Sequence, residues 1–194
     1  MQENKHQIIG SSTACLMMLS HTDLMLYTTN IGDSGFLVVR SGEVVHRSQE
    51  QQHYFNTPFQ LSLPPTELQS EVLADRPESA DQYEFCVEDG DVILLATDGI
   101  FDNVPDRLLV EEMAVVQHCK DEIKIQQCAN SIALIARKLS RDPKVRNKRV
   151  KNISKQNFLF QFLSPFSVNA LAAGIEAEGG KPDDITVLLA TVSL

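Results

Sequence analysis

Apolar residues fall in short alternating or continuous blocks over the first half of the chain and take up helical spacing only after residue 105. Segments 13–19 (TACLMML) and 24–30 (LMLYTTN) flank the polar stretch Ser20-His21-Thr22-Asp23, and 36–40 (FLVVR) and 43–47 (EVVHR) flank Ser41-Gly42. Both patterns predict β-hairpins, the second closed by a tight turn whose glycine tolerates positive φ. Residues 83–87 and 91–97 around Glu88-Asp89-Gly90 predict a third hairpin, and 185–193 (ITVLLATVS) reads as a strand buried on both faces. Beyond Pro105, Leu109, Met113 and Val116 recur at helical intervals. A second helix is predicted over 121–139, its apolar face made of Ile125, Cys128, Ala129, Ile132, Ile135, Ala136 and Leu139. Between the hairpins, 51–80 is rich in Pro, Gln, Ser and Thr and reads as a long ordered loop. Strands interrupted by two helices and closed by a strand indicate an α+β layered domain.

At 194 residues the chain suits a single domain with a real core. Its formal charge of −9 argues against broad nucleic-acid binding and suits a protein that gathers carboxylates around cations. No apolar run approaches the ~20 residues that span a bilayer, so no membrane association is expected. The segment MQENKHQIIGSS has neither signal-peptide nor transit-peptide character, which makes a cytoplasmic location the default. Cys15, Cys86, Cys119 and Cys128 show no paired spacing and are expected to be free, buried thiols. One stretch stands apart. Residues 144–155 (KVRNKRVKNISK) carry six cations and no acid, and NFLFQFL follows them. This atypical insertion at about 144–163 has three readings: a flexible basic insertion, a docking arm for an acidic partner, or translated intron. A spliced transcript lacking the codons for 144–163 is the outcome that would establish the third.

Three aspartate-bearing junctions carry the candidate chemistry. In Asn30-Ile31-Gly32-Asp33-Ser34-Gly35, two glycines permit a tight backbone that presents Asp33 between strands. In 91–103 an apolar strand runs into Asp98, Gly99 turns the backbone, and Asp102 follows four residues later, on the same side if the chain is helical there. A carboxylate at the end of a buried strand is costly unless a cation meets it, although an Asp helix cap is the competing reading. Gly179-Gly180-Lys181-Pro182-Asp183-Asp184 leads into the last strand, as part of a site or as a solvated acidic turn. Taken together, the junctions favour hard divalent cations, which require oxygen ligands from rigid positions. His53 and Tyr54 in the long loop are assigned no catalytic part.

In this order, GSSTAC, NIGDSG, LLATDGIFDN and KPDDITV resemble the metal-dependent protein phosphatases of the 2C type. EQQHYFNTPFQL (50–61) and GGKPDDIT further resemble the branch called phosphatase two C homologue seven, which is associated with mitochondria if an upstream targeting segment exists. The resemblance implies a layered α-β-β-α sandwich, two Mg²⁺ or Mn²⁺ ions per complete site, and hydrolysis of phosphoserine or phosphothreonine in proteins by a metal-activated water. By motif it makes Asp98 and Asp183 metal ligands and places Asp33 and Asp102 where some members hold a further, looser ion. Asp184 falls where the family often has Asn. Gly32, Gly35 and Gly99 would be geometric. The expected partner is a phosphoprotein, and the expected state a monomer. The family's bridging Asp-Gly pair has no counterpart upstream of Asp33. The expectation is therefore an N-terminally truncated, partial domain over 1–194 with little activity alone, or a non-catalytic pseudophosphatase that acts as a binding module.

Overall fold

The computed structural model describes residues 10–65, 67, 72–142, 164–177 and 179–194. The basic and aromatic insertion read at about 144–163 lies outside the described residues. Two antiparallel sheets form the frame. One is built from β2 (Ala14–Ser20), β3 (Met25–Ile31) and β9 (Asp81–Cys86), in that order. The other has the order β11 (Val187–Thr191), β10 (Val92–Ala96), β4 (Gly35–Arg40) and β5 (Glu43–Arg47). Short strands β1 (Ser11–Ser12) and β8 (Leu61–Ser62) pair, as do β6 (Gln52–Tyr54) and β7 (Thr57–Pro58). The stretch read as a long loop therefore contains extended pairs of its own.

The alternation seen in the sequence sorts residues between two cores. Phe36, Val38 and Ile93 point to the three-stranded sheet, where they meet Leu26, Val87 and Val192, with Cys15, Met17, Leu19 and Phe85 packed against them. Their neighbours Leu37, Val39, Val92, Leu94 and Ala96 point the opposite way, to helices α2 (Asp106–Ala114) and α3 (Glu122–Ser140). This is the period-2 geometry of a sheet covered on both faces. Leu109, Met113, Cys128, Ile132 and Ala136 supply the helical side of that second core, as their spacing predicts. The result is an α+β sandwich.

Helix α3 begins at the N-cap Asp121, whose side chain accepts from the backbone N–H of Ile123 at 3.0 Å, and it carries Arg137 and Lys138 in its last turn. Both features suit the helix dipole. A further helix, α4 (Pro165–Ala172), was not anticipated. Ser164 caps it, Pro165 occupies its first turn, and Phe166 donates its backbone N–H to the Asp102 carbonyl at 2.9 Å. Among the described residues no helix is long and apolar enough to cross a membrane.

Two expectations need correction. Strand β11 is not buried on both faces. It lies at the edge of its sheet, so Val187 and Leu189 pack towards the helices while Leu188 on the opposite face is 60% exposed. A continuous apolar run does not reveal which strand will be last in a sheet. The cysteines are also not uniformly buried: Cys128 is, Cys15 and Cys119 are partly so, and Cys86 is exposed because it falls on the outward side of β9.

At the end of β4 remote from Gly35, Arg40 grips the fully buried Asp91 through two bonds of 2.8 Å, from Nε to Oδ1 and from Nη2 to Oδ2. This bidentate pair holds β4 against the start of β10. On β5, His46 stacks on Phe85 with ring centroids 4.8 Å apart and meets Tyr83 edge-on at 5.7 Å. Its Nε2 is buried with no hydrogen-bond partner among the described residues, and burial holds its pKa below the ordinary 6.5. Below about pH 6.5 the unfolded chain therefore takes up a proton that the folded chain declines, and stability falls as the pH drops. The expected result is that His46→Phe gains stability relative to the parent between pH 7.5 and 5.5, as read from urea midpoints across that range.

Candidate metal centre

The register of the four-stranded sheet brings three chain segments to one edge. Ala96, the last residue of β10, pairs with Gly35 on one side and Val187 on the other. The pairing is antiparallel throughout. The residues just before β4, just after β10 and just before β11 therefore emerge together, and these are the Asp33, Asp98 and Asp183 junctions.

Each junction is locally built. Thr97 joins the second to the third: its backbone N–H donates to the Thr186 carbonyl at 3.2 Å, and its hydroxyl donates to the Asp184 carbonyl at 3.0 Å and accepts from Thr186 N–H at 3.0 Å. The chain then turns into the single-turn helix α1 (Asp98–Phe101). Gly99 is required there, since a Cβ would lie 2.4 Å from the Asp184 carbonyl oxygen. At Asp33, Gly32 adopts a φ of +97°, and a Cβ would lie 2.4 Å from Thr13 Cγ2, so both backbone and space exclude a side chain. Gly35 opens β4 against Ser48, whose hydroxyl accepts from Phe36 N–H at 2.9 Å.

The helix-cap reading of Asp98 does not hold. The cap position is Thr97, and the Asp98 carboxylate instead accepts a 2.6 Å hydrogen bond from Lys181 Nζ. Asp102, one helical turn on, accepts from the same ammonium at 2.9 Å, and Asp183 Oδ2 stands 3.3 Å from it. The spacing of Asp98 and Asp102 does place both carboxylates on one side. Asp183 is not a freely solvated turn residue either, because its other oxygen accepts from Asp184 N–H at 2.9 Å. The Asp184 position contributes its carbonyl, to Thr97. His53 lies apart from this cluster, paired with Asp75 at 3.0 Å and stacked on Phe59 at 4.2 Å, a structural arrangement within the 51–80 stretch.

Lys181 and Asn103 were the residues that sequence reading passed over. Asn103, almost wholly buried, donates from Nδ2 to the carbonyls of Gly99 at 3.0 Å and Lys181 at 2.9 Å, and its Oδ1 accepts from Lys181 N–H at 2.8 Å. It thus fastens the Lys181 loop to the turn that carries Asp98. Both residues stood inside the motifs, yet nothing in their spacing showed that 103 and 181 meet.

Among the described residues the centre holds more negative charge than the Lys181 ammonium balances. Asp33 is buried, and burial followed by the Asp98 charge pushes its pKa up to about 6. Burial also raises Asp102, against the pull of its Lys181 hydrogen bond. Glu50, at the open side, is raised by desolvation and then by Asp102. Lys181 itself would be lowered by burial, but the hydrogen bonds it donates to Asp98 and Asp102 outweigh this and hold it above its ordinary value. Among the described residues no three Asp, Glu, His or Cys side chains form a ready-made metal cluster, and three of these carboxylates meet the Lys181 ammonium. The donor chemistry nonetheless fits a hard divalent cation: the donors are carboxylate oxygens, they converge from rigid segments, and Asp33 would be relieved by added positive charge.

Comparison with known proteins places the chain in a family. Residues 1–133 match the family model described as "Protein phosphatase 2C". The chain is 50% identical over 191 residues to "Protein phosphatase PTC7 homolog" from Xenopus laevis, covering 98% of this chain and 58% of that protein. It is likewise 50% identical to the Homo sapiens protein of the same name, covering 98% and 57%. The chain thus spans less than two thirds of the length of these curated relatives. Among solved structures, "X-ray structure of the photosystem II phosphatase PBCP" superposes with a TM-score of 0.74 at 28% identity, covering 97% of this chain and 67% of that one.

Removing the Asn103 side chain strands three backbone groups at once. Asn103→Ala is expected to lower the unfolding free energy by roughly 2–4 kcal/mol in chemical denaturation.

Proposed function

Because the chain belongs to the protein phosphatase 2C family, we propose that it forms part of a serine/threonine protein phosphatase that uses Mg²⁺ or Mn²⁺, with Asp98 and Asp183 as metal ligands and Asp33 and Asp102 holding a further, looser ion. The observation that carries this reading is the convergence of the Asp98, Asp102 and Asp183 carboxylates on a single cationic point.

When bound, the divalent ions would supply an activated water and neutralise the phosphoryl oxygens, the two needs of a monoester that hydrolyses extremely slowly unaided. The chain's own residues supply anionic donors held before binding. Asp98 rides on a turn locked by Thr97 and Asn103, and Asp183 is oriented by its neighbour's N–H. Glu50 and Asp33 add negative charge that concentrates cations at this edge of the sheet. A phosphoprotein is the substrate class that follows from the family.

A second reading is a binding module that retains the carboxylate array without turnover. One assay separates the two. With Mn²⁺ and a phosphothreonine peptide, the phosphatase reading expects turnover, low in this chain alone, that is lost in Asp98→Asn. Turnover unaffected by that substitution would overturn the site assignment, and Mn²⁺-dependent peptide binding without phosphate release would establish the binding module.

A further inference from the structure

Lys181 is placed as firmly as the carboxylates it meets. Asn103 holds its N–H and its carbonyl, Pro182 follows it, and Gly180 before it packs so closely that a Cβ would lie 2.4 Å from the Leu139 carbonyl. Among the described residues, the ion pairs to Asp98, Asp102 and Asp183 all come from this one side chain. Arg47 is engaged elsewhere: it pairs with Asp106 at the start of α2 and lies over the Phe101 ring at 5.2 Å.

An ammonium hydrogen and a metal ion seek the same carboxylate lone pairs, and two cations crowded onto one oxygen repel each other. The Lys181 stem is unbranched and flexible, and its Nζ already lies over the Phe166 ring at 5.9 Å from the centroid. That aromatic face offers the ammonium somewhere to rest when it leaves the carboxylates.

We propose that Lys181 is a built-in competitor of the divalent cation: its ammonium takes the Asp98, Asp102 and Asp183 oxygens that an ion would need, must withdraw when one binds, and so sets the metal affinity of the site. This inference rests on the reading of Asp98 and Asp183 as metal ligands. It makes Lys181 a positioning and affinity-determining residue.

The test is calorimetric titration of Mn²⁺ into the 194-residue chain after metal removal, with Lys181→Met, Lys181→Arg and Asp98→Asn in parallel. Lys181→Met keeps the length of the side chain without its charge and is expected to bind Mn²⁺ about tenfold tighter or more. Its metal-free thermal midpoint is expected to fall and its Mn²⁺-loaded midpoint to recover. Lys181→Arg keeps the charge and is expected to stay near the parent affinity. Affinity that is unchanged or weaker in Lys181→Met overturns the inference, as would lowered midpoints in both lysine variants without a gain in affinity. Asp98→Asn separates the two levels of argument. If it binds Mn²⁺ like the parent, or if no protein in the series binds Mn²⁺, the metal reading itself fails. A second measurement needs no substitution: in the parent chain, labelling of Lys181 by an amine-reactive acetylating reagent, read by peptide mass spectrometry, is expected to rise on addition of Mn²⁺. No rise would also overturn the proposal.

Discussion

The arrangement depends on one constraint, the burial of β10 between two partner strands and two apolar cores. Val92, Leu94 and Ala96 face the helices, and Ile93 faces the second sheet. A slip of one residue against β4 or β11 would exchange those faces, so the register is set by burial on both sides. The Arg40–Asp91 pair secures one end of the strand, and the Thr97–Thr186 contacts secure the other. Once the register is set, the chain segments beyond Ala96, before Gly35 and before Val187 have one place to go. The candidate centre is a consequence of sheet pairing before it is a matter of ligand chemistry.

That placement creates an electrostatic problem. Four aspartates and Glu50 lie at one edge of a sheet, and Asp33, Asp102 and Glu50 are pushed up first by burial and then by neighbouring carboxylates. The fold meets the problem in two ways. Lys181 supplies one charge at the centre, and backbone N–H groups and carbonyls around Thr97, Asn103 and Asp183 keep the turns from relaxing apart. Among the described residues the remaining excess of negative charge favours a cation at this edge of the sheet.

The legibility of individual elements follows from what each pattern encodes. Strands β2 to β5, β9 and β10, and helices α2 and α3, were readable because alternation or helical spacing reports directly which side of an element meets a core. Helix α4 was not. PFSVNALA is too short and too evenly apolar to show a face, and what orders it includes Ser164, Pro165 and the contact of Phe166 with the Asp102 carbonyl. The exposed face of β11 was misread for a related reason, since its apolar run looks the same at the edge of a sheet as at its centre. Of the site, the aspartates and glycines stood out as loop–strand junctions, whereas Asn103 and Lys181 looked like ordinary loop residues.

The sequence by itself determined the periodicities, the α+β class, the three acidic junctions and the need for glycine at their turns, because these are local properties of spacing and side-chain chemistry. Only the tertiary structure decided that Asp98, Asp102 and Asp183 share one cation, that Asn103 ties 99 to 181, and that burial, then the Asp98 charge, pushes Asp33 up to about 6. Those facts join residues 65 to 83 positions apart, and the physical reason is strand register: an antiparallel pairing chosen to bury apolar faces also fixes which charged ends must stand together.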